Sequence, residues 1–321
     1  MTMYRFKSIL KQTLWGGEKI KQLKHIPDAP SQIGESWELS AVEGNVSTID
    51  GGSEDGVLLT DLIDRDKERL MGRRNYERFG HRFPLLIKFI DAKQDLSIQV
   101  HPNDEIAHRQ GLPCGKTEMW YLMPSEDDAV IRVGLKKKIT PEEYKQMVAN
   151  NTITDAIAHY NVKAGDCFFL PGGRIHSIGA GCMLVEIQQT SDCTYRIYDF
   201  NRRDKNGNLR ELHTEKAAEC INYEVLPDYR TKYEPHKNQP VLLVDSPVFT
   251  TSVLDMDSPV TLDWSAIDSF QILICLSGEG EVAEDDGEWQ PMRAGQTYLF
   301  PATTAKVRLK GKMQLINTYV K

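Results

Sequence analysis

Four side chains between residues 99 and 176 have the types and spacing to close on one metal ion. Gln99 and His101 stand two apart in Leu96-Ser97-Ile98-Gln99-Val100-His101-Pro102. On a strand both face one side, while Val100 packs the other way. Ser97 shares that face, either as a hydrogen-bonding group for a ligand or as packing. Glu118 lies in the apolar and aromatic stretch Glu118-Met119-Trp120-Tyr121, where an unpaired charge is costly. A metal ion would satisfy it, and so would an ordinary salt bridge. His176 follows Pro171-Gly172-Gly173, a tight turn able to aim it inward. Two imidazoles, a carboxylate and an amide oxygen form a borderline-soft set that suits zinc, with positions left for water or substrate. Read singly, His101 beside Pro102 is also an ordinary hydrogen-bonded strand-end histidine.

The elements that must hold these residues are mostly strands. Phe83–Ile90, Leu96–Val100, Glu118–Met123, Ala129–Val133, Cys167–Leu170 and Met183–Ile187 are short, apolar and bounded by turn residues. Their spacing predicts an antiparallel sandwich or barrel, not alternating β-α units. Helices are expected over Asp61–Phe79, from Thr140 to about His159, and after Thr214. Thr140, Pro141 and Glu143 form a capping box with proline at the first helical position. Lys232–Pro240 reads as a linker, after which only strands follow: Val241–Val244, Val248–Leu254, Ser269–Leu276, Gly280–Ala283, Thr297–Phe300 and Met313–Thr318. Domains are expected at 1–240 and 241–321.

A weak repeat relates the two parts. Gly165 to His176 aligns without gaps on Gly295 to Lys306: a glycine, a five-residue strand, then Pro171 or Pro301. The last position is His176 in one copy and Lys306 in the other, so only the first copy is equipped for metal.

Bulk properties narrow the class. A chain of 321 residues with 40% hydrophobic and 26% charged residues has the composition of a folded globular protein. A net charge of −7 points to neither nucleic acid nor an anionic membrane. No apolar run approaches the roughly 20 residues needed to span a bilayer. The start, Met1 to Gly17, does not read as a secretory signal. Six cysteines without a CxxC pair read as reduced core residues of a cytoplasmic protein.

Gly165 to His176 resembles the second motif of the cupin jelly rolls. Together with Leu96–Pro102, Gly115–Met123 and Phe168–Gly181, it resembles the type I mannose-6-phosphate isomerases, in their short bacterial branch. Trp15-Gly16-Gly17, Ile33–Trp37, Pro84–Lys88 and Ser191–Arg196 extend the likeness over roughly residues 5–210. The later part matches only in outline, and the chain lacks most of the helical insertion of the long forms.

The resemblance implies a mainly β fold of two cupin-type jelly rolls, with helical segments inserted in and around the first. It implies one zinc per chain, held by Gln99, His101, Glu118 and His176. It marks Lys116, Glu186 and Arg196 as active-site residues. Lys116 and Arg196 are the cations suited to the phosphate of a sugar, and Ser97, on the inward face of its strand, either hydrogen-bonds that phosphate or packs. Glu186 is the candidate base, or is held by a cation and only orients substrate. Lys116 also reads as a solvated loop lysine, and Arg196 as a partner for Asp199. The implied reaction interconverts mannose 6-phosphate and fructose 6-phosphate through a cis-enediol, in a monomer or homodimer. A cupin dioxygenase with a redox metal and a non-catalytic sugar-binding cupin are the rival readings. Gln99 counts against the first, and the lack of a basic helix-turn-helix counts against a DNA-binding regulator.

Overall fold

Successive side chains of the strand Glu118–Leu122 enter two different cores. Met119 and Tyr121 join one apolar cluster; Trp120 and Leu122 join another. The same alternation runs along Met183–Gln189 and Leu85–Asp91. All three strands are buried on both faces, which explains their nearly continuous apolar sequences. This computed structural model describes residues 3–203 and 206–321.

These strands form the middle of a six-stranded central sheet, ordered Cys167–Leu170, Glu118–Leu122, Met183–Gln189, Leu85–Asp91, Ile33–Leu39 and Ile9–Gly17. One face looks onto a five-stranded outer sheet: Ile157–Asn161, Val130–Leu135, His176–Ile178, Ile98–Val100 and Tyr195–Tyr198. Ile131, Val133 and Ile178 of the outer sheet meet Trp120, Leu122 and Leu184 of the central one. The far face of the outer sheet is covered by the helices Pro141–Ala149 and Thr214–Cys220, through Tyr144, Val148, Ala217 and Cys220.

The other face of the central sheet packs on an eight-stranded C-terminal sheet. Ile87, Phe89, Met119 and Val185 meet Phe249, Phe270, Ile272 and Ile316 there. Burying each such side chain stabilises by about 1.5–3 kcal/mol, so this contact welds the two β-units together. The C-terminal sheet takes every strand from Val241 onward and one from the other end of the chain. Tyr4–Arg5 pairs antiparallel with Thr297–Phe300, Tyr4 opposite Leu299. The interior of the C-terminal unit is apolar, lined by Leu254, Met256, Leu273, Phe300 and Leu315.

The fold is mainly β, as expected, with its helices gathered around the first β-unit. Three of the expected elements take another form. The expected helix Asp61–Phe79 is three short ones, Leu59–Asp66, Glu68–Met71 and Arg73–Phe79. The chain turns at Lys67 (φ +47°) and Gly72 (φ +84°). A Cβ at Gly72 would lie 2.3 Å from the Asp268 carbonyl oxygen, so only glycine fits where this turn docks against the C-terminal unit. The helix from Thr140 keeps its capping box but ends at Ala149, and Ile157–Asn161 is a strand. Gln271–Glu284 continues through the expected break as one 14-residue strand, with a register shift between Cys275 and Ser277.

Candidate metal centre and active site

The metal-ligand candidates come from facing sheets. In the outer sheet His176 pairs directly with Gln99, and Gln99 pairs with Arg196, so their side chains share the inward face. His101 lies just past the end of the Ile98–Val100 strand. Glu118 opens its strand in the central sheet, opposite Gln188. His101, Glu118 and His176 are each at most 1% exposed, and their donor atoms lie within 4.8 Å of one another.

Hydrogen bonds decide which ring nitrogens point at the cluster. His101 Nδ1 lies 2.9 Å from the Cys193 carbonyl oxygen, and His176 Nδ1 lies 2.8 Å from that of Arg174. A carbonyl only accepts, so each Nδ1 carries the proton and each Nε2 presents a lone pair. Burial, and then the Lys116 charge, lowers His176 to about 3 and keeps His101 well below the usual imidazole value. Both rings are therefore neutral at pH 7. Burial pushes the Glu118 carboxyl up, while Lys116 pulls it back.

The spacing of these atoms fits a cation. His176 Nε2 is 3.2 Å from His101 Nε2 and 3.2 Å from Glu118 Oε1. His101 Nε2 is 3.5 Å from Glu118 Oε2, and the Gln99 amide approaches His176 Nε2 at 3.4 Å. A tetrahedron with metal–ligand bonds of about 2.0–2.1 Å has edges of about 3.3–3.4 Å. Glu118 Oε1 is buried without a hydrogen-bond donor. Turning the Gln99 amide over would aim its oxygen at the cluster and its nitrogen at Ser97, whose hydroxyl is 3.4 Å from the amide. Two facing lone pairs and an unsatisfied carboxylate oxygen are stable together only around positive charge.

The Lys116 ammonium supplies part of that charge. It is 3.0 Å from His101 Nε2 and 2.5 Å from Glu118 Oε2, and the residue is 5% exposed. It is no solvated loop lysine. Arg196 is not the partner of Asp199, whose carboxylate is held by Arg202 and Arg210. The Arg196 guanidinium donates to the Glu211 carbonyl at 3.0 Å, and its Nε is buried with no hydrogen-bond partner.

Glu186 is held by cations. Its Oε1 is 3.1 Å from Lys88 Nζ, and its Oε2 accepts from Trp120 Nε1 at 2.7 Å. Burial would raise its pKa, but Lys88 and then Lys116 outweigh burial and hold the carboxyl well below its usual range. Burial works against the Lys88 ammonium too, and Glu35 and Glu186 overcome it. The row Trp37–Lys88–Glu186–Trp120 crosses the central sheet, its members directly opposite one another. Trp120 meets the His176 ring edge-on, with centroids 5.2 Å apart. Lys88 and Trp120 were missed as site residues in the sequence reading. A lysine in the middle of Leu85-Leu86-Ile87-Lys88-Phe89-Ile90 is itself a signal, since a fully buried strand must supply it with a counter-charge.

Comparison with known proteins agrees with this geometry. Residues 3–159 match the family model for the phosphomannose isomerase type I catalytic domain, and residues 242–320 match the mannose-6-phosphate isomerase cupin domain. Mannose-6-phosphate isomerase ManA of Bacillus subtilis is 33% identical over 321 residues, covering 98% of each chain. The mannose-6-phosphate isomerase of Streptococcus mutans is 31% identical over 315 residues, covering 98% of this chain and 96% of that one. The crystal structure of mannose 6-phosphate isomerase from Bacillus subtilis superposes with a TM-score of 0.89 over 100% of both chains, at 28% identity. Sequence, fold and the inward-facing cluster converge: the chain belongs to the type I mannose-6-phosphate isomerase family.

Proposed function

We propose that this isomerase is zinc-dependent and interconverts mannose 6-phosphate and fructose 6-phosphate through a cis-enediol. The observation that carries the reading is the convergence of two imidazole lone pairs and an unsatisfied carboxylate oxygen beside the Lys116 ammonium. Gln99, His101, Glu118 and His176 would hold the zinc, which would supply positive charge where oxygen becomes negative during enolisation.

The remaining work falls to the chain's own residues. Lys116 lies against the ligand cluster, so its ammonium faces the reacting end of the sugar and stabilises charge that grows only in the transition state. Arg196 has an unspent N–H on the same inward face as Gln99, and Ser97 stands two residues before Gln99. These two suit the phosphate, whose binding orients the sugar. Glu186 is the carboxylate assigned to the C2 proton. Lys88 and Trp120 hold it ionised at neutral pH, which leaves it free to accept a proton but lowers its strength as a base.

Residues 1–240 form the catalytic unit in this reading, and 241–321 a unit without metal. Lys306, the counterpart of His176, is exposed, and the interior behind it is apolar. All six cysteines are free, which supports a reducing, cytoplasmic setting. A coupled assay on mannose 6-phosphate, run with metal analysis of the same sample, tests the whole. Activity should vanish on chelation and return with zinc; activity indifferent to chelation would defeat it.

A further inference from the structure

Lys116 sits on an irregular stretch, residues 112–117, that belongs to no helix or strand. Its backbone must be fixed by something other than a ladder, and three consecutive N–H groups show what does so. Gly115 N donates to Asp104 Oδ1 at 2.7 Å, Lys116 N to the Pro102 carbonyl at 3.0 Å, and Thr117 N to Gln189 Oε1 at 2.8 Å. Gln189 Nε2 closes the circuit by donating to the same Asp104 oxygen at 2.9 Å. The two peptide N–H groups flanking Lys116 are thus held by two side chains that hold each other. Gly115 adds closeness: a Cβ there would lie 2.6 Å from the Asn103 carbonyl carbon and 2.7 Å from Asp104 N.

We infer that Asp104 and Gln189 are positioning residues for Lys116, setting where its ammonium stands relative to the ligand cluster. The inference rests on the reading of Lys116 as an active-site cation. Asp104 borders a cavity of about 280 Å³ shared with Arg78 and Arg82. Among the described residues it forms an ion pair with neither, and accepts from backbone and amide N–H groups instead. What the site takes from Asp104 is an acceptor atom in a fixed place, not a charge. Because the residue already borders a cavity, shortening it enlarges that cavity and opens no separate void in a packed core.

The test is a double-mutant cycle on the zinc-loaded, full-length enzyme. Asp104→Ala and Gln189→Ala should each lower kcat about 10- to 100-fold, as small misplacements of catalytic groups do. Metal content should stay the same and KM should change little. Asp104→Asn should restore most of kcat, because an amide oxygen accepts the same two bonds. In a Lys116→Ala background, Asp104→Ala should cost less than about twofold, the limit within which independent effects are resolved. An equal loss in both backgrounds would mean that the pair acts elsewhere and would overturn the inference. So would an Asp104→Asn enzyme as poor as Asp104→Ala, since only a charge at the start of helix Asp104–Arg109 would then matter. If Asp104→Ala fails to fold, Gln189→Ala and its combination with Lys116→Ala make the same comparison. A fully active Lys116→Ala enzyme would remove the reading of Lys116 itself, a distinguishable failure.

Discussion

The Nε2 atoms of His101 and His176 face each other at 3.2 Å, and neither carries a proton, because both Nδ1 atoms donate to backbone carbonyls. Neutral imidazoles so arranged attract nothing to one another; they need positive charge, part of which Lys116 supplies from one side and the rest of which a cation between them would supply.

That cation should be one zinc per chain. Replacing His101 or His176 with alanine should remove metal and activity together, by elemental analysis and the coupled assay. Lys306→Ala, in the second repeat, should leave both intact. Metal lost with Lys306 would reverse the assignment of the two β-units.

Lys116→Ala and Arg196→Ala should keep zinc and lose turnover. Loss of a charge-assisted contact costs about 1.5–3 kcal/mol, or roughly one to two decades in kcat/KM. The loss should be larger in kcat for Lys116, beside the ligand cluster, and larger in KM for Arg196, on the phosphate side. Wild-type kinetics in both variants would remove the cationic set from the mechanism.

Fructose 6-phosphate turned over in heavy water should yield mannose 6-phosphate with some deuterium at C2. Incorporation should be incomplete, because a buried carboxylate can return its own proton before exchange. Glu186→Gln should slow isomerisation and exchange together. It should also destabilise the fold, since Lys88 loses one of the two carboxylates that hold its buried charge. No deuterium after many turnovers would indicate a hydride shift. Full activity in Glu186→Gln would move the search for the base elsewhere.

Stability of the chelated protein should depend on pH in the acid range. Folding lowers His176 from about 6.5 to about 3. Between those values the unfolded chain binds a proton that the folded chain refuses, so stability rises with pH there and is level above. Urea midpoints of the chelated enzyme should fall as pH drops from 7 to 4.5, His176 and His101 together outweighing Glu118, whose raised carboxyl acts in the opposite sense; His176 alone contributes at most about 1.4 kcal/mol per pH unit. His176→Gln should flatten the slope, and parallel curves for the two proteins would refute this source.

The ligand candidates were legible because period-two spacing and the Pro-Gly-Gly turn are local signals. Gln99 and His101 needed only a strand, and His176 needed only its turn. Lys88, Asp104 and Gln189 escaped because their meaning lies in partners 98, 11 and 72 positions away: Glu186, Gly115 and Thr117. The strands Ile9–Gly17 and Ile33–Leu39 escaped for a related reason. They lie at and next to the edge of the central sheet and carry Lys11, Gln12, Glu35 and Glu38, so their apolar alternation is diluted. Gly72 is a local hint of the break, but its close approach to the Asp268 carbonyl of the other β-unit is recorded in no local pattern.

The pairing of Tyr4 with Leu299 bears on how the chain is made. A ribosome adding about 5–20 residues per second releases Thr297–Phe300 some 15–60 s after Tyr4–Arg5 has emerged. For that interval the first strand has no partner, while Ile9–Gly17, only a few residues on, can already join the central sheet. The nascent chain must keep its leading end free beside a growing sheet and spend it last. A chain stopped near residue 240 would leave Tyr4 and Arg5 as a loose flap, and the segment after 240 expressed by itself would expose the edge of Thr297–Phe300 to any strand that met it.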